Sequence, residues 1–163
     1  MIILTDQARN LYLAGRYSDA INQYEKSLIL DPDFAIAHKG LAEVYVNRGK
    51  HVEAVEEIEK AIALSGRSAF IFDDLGYIYA KSGDKDKAIK VLEELEAQAS
   101  ENFVPAWGRA VIYAGLEDKE KAIYWLTKAY EERSFVTYIK VDPIFEFLRD
   151  DSRFKVLLQK IGL

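Results

Sequence analysis

Apolar and small residues recur along this chain at spacings of three and four, in blocks of about a dozen separated by short polar stretches. That spacing gives each block one buried face as an amphipathic helix. The blocks come in pairs. In the second pair, residues 34–47 and 52–64 are expected to be helical, with Arg48-Gly49-Lys50 between them. Gly49 can adopt the left-handed conformation that stops a helix. Asp84 or Lys85 opens the second helix of the third pair, and an aspartate there can cap free backbone N–H groups. Asp31-Pro32 ends the first pair, because proline cannot continue a helix. Ser65-Gly66 and Ser100-Glu101 stand at that point in later pairs, and they are breakers or weak formers.

The pairs repeat every 34 residues. YSDAINQYEKSL from Tyr17, HVEAVEEIEKAI from His51, KDKAIKVLEELE from Lys85 and KEKAIYWLTKAY from Lys119 align without an insertion. Their alanines are Ala20, Ala54, Ala88 and Ala122, followed by Tyr24, Ile58, Leu92 and Leu126, then Ser27, Ala61, Leu95 and Ala129. Upstream, Ala8, Ala42, Gly76 and Ala110 form a column of small residues, and Leu11, Tyr45, Tyr79 and Tyr113 a column of large ones. Helices approach closely where side chains are small, so the small columns mark contacts within and between hairpins, with the large column filling the volume beside them. Gly15, Gly49 and Gly83 share a column that Glu117 breaks, with Gly115 two residues early.

Phe72-x2-Leu75-Gly76-x2-Tyr79…Ala88-x3-Leu92 and His38-x2-Leu41-Ala42-x2-Tyr45…Ala54-x3-Ile58 resemble the tetratricopeptide repeat pattern. Leu4-x2-Gln7-Ala8-x2-Leu11 departs most, and the fourth unit has Arg109 where leucine is usual. The resemblance spans about residues 3–134. It implies an all-α, right-handed superhelical solenoid of four antiparallel helix hairpins, about 1–34, 35–68, 69–102 and 103–134. A C-terminal helical cap over 135–163 completes one continuous domain. Such hairpins bury their apolar faces by stacking on one another.

The resemblance also implies a concave groove lined by the first helix of each unit. Its positions here include Thr5, Asp6, Arg9, Tyr12 and Leu13; Ile36, Lys39, Glu43 and Asn47; Phe70, Asp73, Asp74, Tyr77 and Lys81; and Val104, Trp107 and Val111. None is needed for packing within its hairpin, yet aromatics occur among them in three units. Exposed on a concave wall, such aromatics suit peptide binding. The other reading packs them against a neighbouring helix or against residues 135–163. Asp73-Asp74 is either part of a site or a solvated first turn, where acids are favoured. The family's basic clamp for the acidic C-terminal tail of heat-shock chaperones has no counterpart. Its positions hold Thr5, Arg9, Gly40, Phe70 and Asp74, and Glu43, Asp73 and Asp74 would repel a carboxylate. A partner segment with apolar anchors and a basic residue fits better.

Charge narrows the function classes. A net charge of −5 argues against sequence-independent nucleic-acid binding or attachment to an anionic membrane, and Arg109, Lys119 and Lys121 form no dense basic stripe. No apolar run approaches the roughly 18 residues of a membrane span. The absence of cysteine removes disulfides and thiolate metal sites. The composition suits a reducing cytoplasm, which is the expected location.

No chemistry-bearing motif stands out. His38 and His51 lack a partner at metal-ligand spacing, so a packing or surface role is expected and no metal or cofactor. No nucleophile elbow or phosphate loop occurs. Glu56-Glu57, Glu93-Glu94 and Glu131-Glu132 fall on second-helix faces, where solvated charge is expected. The reading is therefore a non-catalytic protein–protein interaction module or scaffold that grips a peptide or protein surface in its groove. The alternative is the regulatory or sensory arm of a multidomain prokaryotic signalling or transcription regulator.

The two ends differ. Met1-Ile2-Ile3-Leu4 begins a helix with no earlier repeat to cover it. It is a self-association edge, a frayed end or a point of truncation. At the other end the period fails, with Ile144 and Val156 where small residues would recur. Asp142-Pro143 reads as an N-cap with proline at the first helical position. Asp150 or Asp151 caps a last helix to about Ile161, with Phe154, Leu157, Leu158 and Ile161 on one face and Gly162 closing it. Tyr130-Glu131-Glu132-Arg133, Lys140-Val141-Asp142-Pro143, Phe145, Leu148-Arg149, Asp151 and Arg153-Phe154 resemble an end-of-array segment of prokaryotic repeat proteins. That resemblance implies a complete C-terminus, bacterial or archaeal origin, and relatives attached to kinases, cyclases or transcription regulators. The tail is expected to be a structural lid, with Arg149 and Arg153 pairing with its aspartates.

Overall fold

A computed structural model of the chain describes residues 2–66, 69–99, 105–134 and 138–163, and the side chains of Ala69, Phe70, Gln98 and Ala99 lie outside that description. Among the described residues there are nine α-helices and no strand. The helices are α1 (Ile2–Leu13), α2 (Tyr17–Leu30), α3 (Ala35–Asn47), α4 (His51–Ser65), α5 (Ala69–Lys81), α6 (Lys85–Ala99), α7 (Ala106–Gly115), α8 (Lys119–Glu131) and α9 (Ser152–Ile161). A short 3-10 helix, Pro143–Leu148, precedes α9. Each odd helix through α7 packs antiparallel on the even helix after it, and α1, α3, α5 and α7 stack side by side to form one wall. None of these helices is long and apolar enough to cross a membrane.

The repeat columns acquire their physical meaning here. Ala8, Ala42, Ala110, Ala20, Ala54, Ala88 and Ala122 are all fully buried at helix crossings. At Gly76 even a methyl group is too large, since a Cβ there would lie 2.6 Å from Ile112 Cδ1. The hairpin turns share one geometry. Gly49 has φ +72°, and the N–H of Lys50 donates to the Tyr45 carbonyl at 2.9 Å. Glu117, which breaks the glycine column, adopts the same left-handed conformation with φ +60°, and Asp118 N–H donates to Tyr113 O at 3.0 Å. The hydrogen-bonded stop is thus retained at a non-glycine residue. Asp84 caps α6 through Lys87 N–H at 3.2 Å, and Asp118 caps α8 through Lys121 N–H at 3.0 Å.

The tail folds as its own small unit against the array. Asp142 accepts the Ile144 N–H at 3.0 Å, and Pro143 follows at the first helical position. Asp151 accepts the Arg153 N–H at 2.9 Å and so caps α9, which ends at Gly162 with φ +90°. Phe145, Leu148 and Phe154 are fully buried in the same core as α5 to α8. Arg153 pairs with Asp151 at 2.8 Å and with Glu120 of α8 at 2.6 Å. Arg149 pairs with Glu146 at 3.5 Å rather than with an aspartate.

Candidate functional site: a charged cavity under the tail

The first helices bring polar side chains onto the concave wall, and the tail is laid over them. Phe145 meets Trp107 edge to face, with ring centroids 5.5 Å apart at 72°. Arg9 on α1 lies over the Tyr138 ring, 5.7 Å from its centroid. Between wall and tail lies a cavity of about 260 Å³. Arg9, Lys39, Glu43, Asp73, Asp74, Trp107 and Val111 line it from the wall, and Tyr138, Asp142 and Ile144 from the tail. A second cavity of about 230 Å³ lies beyond Ile144, and Asn47, Tyr77 and Lys81 contribute to it.

Ten of the concave-face candidates therefore line these two spaces. Tyr12 lines neither: it is buried, and its hydroxyl accepts from Asn47 Nδ2 at 3.0 Å. Phe70 and Val104 lie outside the described side chains. The expectation of aromatics exposed along an open wall is corrected at Tyr77, which is 3% exposed. The Tyr77 ring packs against α7, where a Cβ at Gly115 would lie 3.0 Å from Tyr77 Cδ2, and Pro143 and Ile144 of the tail face it across the second cavity. Asp73 and Asp74 are likewise buried rather than solvated.

Buried charges need partners. Lys39 finds two: Glu43 one turn along α3, and Asp74 on α5, whose Oδ2 lies 2.8 Å from Nζ. Burial works against the Lys39 charge, but Asp74 and Glu43 outweigh it and hold the ammonium well above its usual range. Asp73 and Asp142 have no such partner. Asp73 accepts the Asp74 N–H at 3.0 Å, and Asp142 accepts the Ile144 N–H. Neither forms an ion pair with a described residue. Burial pushes both up to about 6, with Lys39 opposing at Asp73 and the Ile144 N–H opposing at Asp142. Gly108 keeps space for Asp73, since a Cβ at 108 would lie 3.0 Å from Asp73 Cβ.

Sequence reasoning missed Tyr138, Asp142 and Ile144 as cavity residues. In the sequence the tail reads as a structural lid and Asp142 as a helix cap, and neither reading points to a cavity. Asp142 does both, capping a helix with one oxygen while its carboxylate lines the cavity. His38 has the expected packing role: its ring nitrogens face Glu57 Oε2 at 2.6 Å and the Pro32 carbonyl at 2.9 Å. Glu57 is correspondingly drawn in from solvent, with a side chain only 14% exposed, unlike the solvated face expected of it. Among the described residues, no group of three or more histidines and acids could hold a metal ion.

The stacked helix hairpins and their period agree with a family model described as tetratricopeptide repeat, which matches residues 5–69 and 74–136. The chain belongs to the tetratricopeptide repeat family. Among solved structures it is similar to MamA protein, at 24% identity with TM-score 0.52, covering 99% of this chain and 91% of that one. It is also similar to YrrB, a repeat protein described as having an unusual peptide-binding site. There the identity is 20% and the TM-score 0.53, covering 96% of this chain and 82% of that one. No curated protein sequence matches the chain.

Proposed function

We propose that this chain is a non-catalytic interaction module whose concave face receives a peptide or protein surface. Family membership supports an interaction role. The observation that carries the concave-face reading is the convergence of Arg9, Lys39, Glu43, Asp73, Asp74 and Trp107 on one cavity from four different first helices. Side chains with no duty inside their own hairpins are brought together there, at the cost of burying charge. YrrB, of similar fold, is described as peptide-binding. The tail occupies part of the groove, so the partner meets the charged cavity rather than the full length of the wall. Four carboxylates against two cations suit a segment with a basic residue beside apolar anchors, and disfavour an acidic tail.

Affinity purification followed by peptide mapping tests this reading. Trp107→Ala, shown by circular dichroism to remain folded, should weaken the recovered partner at least tenfold, as loss of a buried aromatic anchor does. An unchanged affinity would exclude the concave face. The N-terminal edge is a separate surface for self-association: Ile2 and Ile3 are 70% and 72% exposed, and exposed apolar patches favour association. Removing residues 1–4 should lower any dimer mass seen by light scattering.

A further inference from the structure

We infer that the cavity beneath the tail is a binding site for a small organic cation: an ammonium or guanidinium on a short apolar stem. The inference goes beyond partner binding and holds whether or not a protein docks on the concave face. Charge provides the first argument. The cavity carries the carboxylates of Glu43, Asp73, Asp74 and Asp142 against the cations of Arg9 and Lys39. Lys39 is committed to Glu43 and Asp74. Arg9 stacks over Tyr138, with Glu43, Asp142 and Asp74 acting on its charge. Asp73 and Asp142, 7% and 3% exposed, accept backbone N–H groups and form no ion pair with a described residue, with Lys39, and Arg9 at Asp142, acting on them only through space. Isolated buried carboxylates are costly, and an entering cation would neutralise them. Burial pushes Asp73 and Asp142 up to about 6, and Asp74 beside them is raised as well despite its ion pair.

The walls decide what kind of cation. Trp107, Val111 and Ile144 are apolar, and Trp107 and Tyr138 bring aromatic rings to the space. Aromatic faces attract ammonium and guanidinium groups. The acids are not disposed to share a metal ion, and a strongly hydrated inorganic ion would gain nothing from the apolar wall. At roughly 30 Å³ per water-sized group, a volume of about 260 Å³ accommodates around nine such groups. That matches a short alkyl or aryl amine, or a single basic side chain with its stem.

Isothermal titration of the full chain provides the test, with n-butylguanidinium and n-butylammonium as probes and n-butylurea as the neutral shape control. Both cations should bind saturably at one site, at least about tenfold more tightly than n-butylurea. Asp73→Asn and Asp142→Asn should each weaken the cations by about tenfold or more, the usual worth of a charged hydrogen-bonding partner. Circular dichroism and melting confirm that the variants fold. Trp107→Leu should weaken both cations by a smaller factor and supplies a second arm if an asparagine variant is unstable. The capped peptide Ac-Ala-Ala-Arg-Ala-Ala-NH2 separates the sources. Binding tighter than n-butylguanidinium indicates a cation delivered on a peptide, weaker binding a free small molecule, and either keeps the cation chemistry. Equal binding of n-butylurea, no binding of either cation at millimolar concentration, or unchanged affinity in both folded asparagine variants would overturn the assignment. Partner capture that persists in those variants would leave the interaction role standing while the cation site fails.

Discussion

Lys39 Nζ lies 2.8 Å from Asp74 Oδ2 and ties the second repeat unit to the third across the concave wall. Both side chains are less than a tenth exposed. The pair is therefore more than a surface ornament, and Lys39 also neutralises Glu43 on its own helix. Removing one member of a buried pair leaves the other charge uncompensated, which typically costs about 3–5 kcal/mol. Lys39→Met should lower the unfolding free energy in urea by that order. Lys39→Met combined with Asp74→Leu should recover part of that loss, because Asp74 is no longer stranded while buried Glu43 still is. A double variant no better than the single one would contradict this account.

Phe154 is fully buried where α9 meets the array. Phe154→Ala should cost about 3–5 kcal/mol by the general cost of truncating a buried phenylalanine. For a domain of this size that is a fall in Tm on the order of 10 °C. A single cooperative transition at lower temperature is expected, since Phe154 belongs to the same core as α5 to α8. An unchanged Tm would mean that α9 contributes little to the fold.

The two unpaired carboxylates set a pH dependence with an unusual sign. Asp73 and Asp142 move from a usual value of 3.8 up to about 6 on folding. The folded state therefore binds more protons than the unfolded state between those values. Their contribution favours folding below about pH 4, declines as pH rises through the window, and is absent above about pH 6. Each is worth on the order of 1–3 kcal/mol. Wild-type protein should melt several degrees higher at pH 5 than at pH 7.5. The Asp73→Asn, Asp142→Asn double variant should reduce that difference without abolishing it, because burial raises Asp74 as well and it remains. A Tm that instead rises steadily from pH 5 to 7.5 would refute it.

Glu117 occupies a left-handed conformation, φ +60°, at the column where the other hairpins have Gly15, Gly49 and Gly83. Glu117→Gly relieves that strain, by about 1 kcal/mol. It also removes the exposed Lys81–Glu117 pair, whose loss costs at most about that much. Stability in urea should therefore stay level or rise by a few tenths of a kcal/mol. Gly49→Glu has no strain to relieve and should destabilise by about 1 kcal/mol.

The repeat architecture was legible because it is local. A period of 34 residues, helical spacing within each unit and glycine or aspartate at each turn are properties of neighbouring residues. They specify which face of each helix is buried and where each helix stops. The tail's caps at Asp142 and Asp151 were legible for the same reason: a side chain that caps a helix bonds to a backbone two residues on. Even Glu117, which breaks its column, keeps the turn, since the hydrogen bonds of the stop are made by the backbone.

The sequence by itself thus determined the hairpins, their number and the family; the concave positions were implied by the resemblance, and Tyr12 among them packs in the core of its own hairpin. The sequence could not determine whether those positions face water. That depended on where residues 138–148 come to rest, and the repeat period, which orders everything before them, carries no information about a segment outside it. Only the tertiary structure decided that Tyr77 is covered, that Asp73 and Asp142 are buried without an ion pair to a described residue, and that an aspartate placed to begin a helix also lines a cavity with residues of α1, α3, α5 and α7. The physical reason is the range of the interactions. Capping and helical periodicity act over a few residues, whereas desolvation of a charge depends on every surface that closes over it.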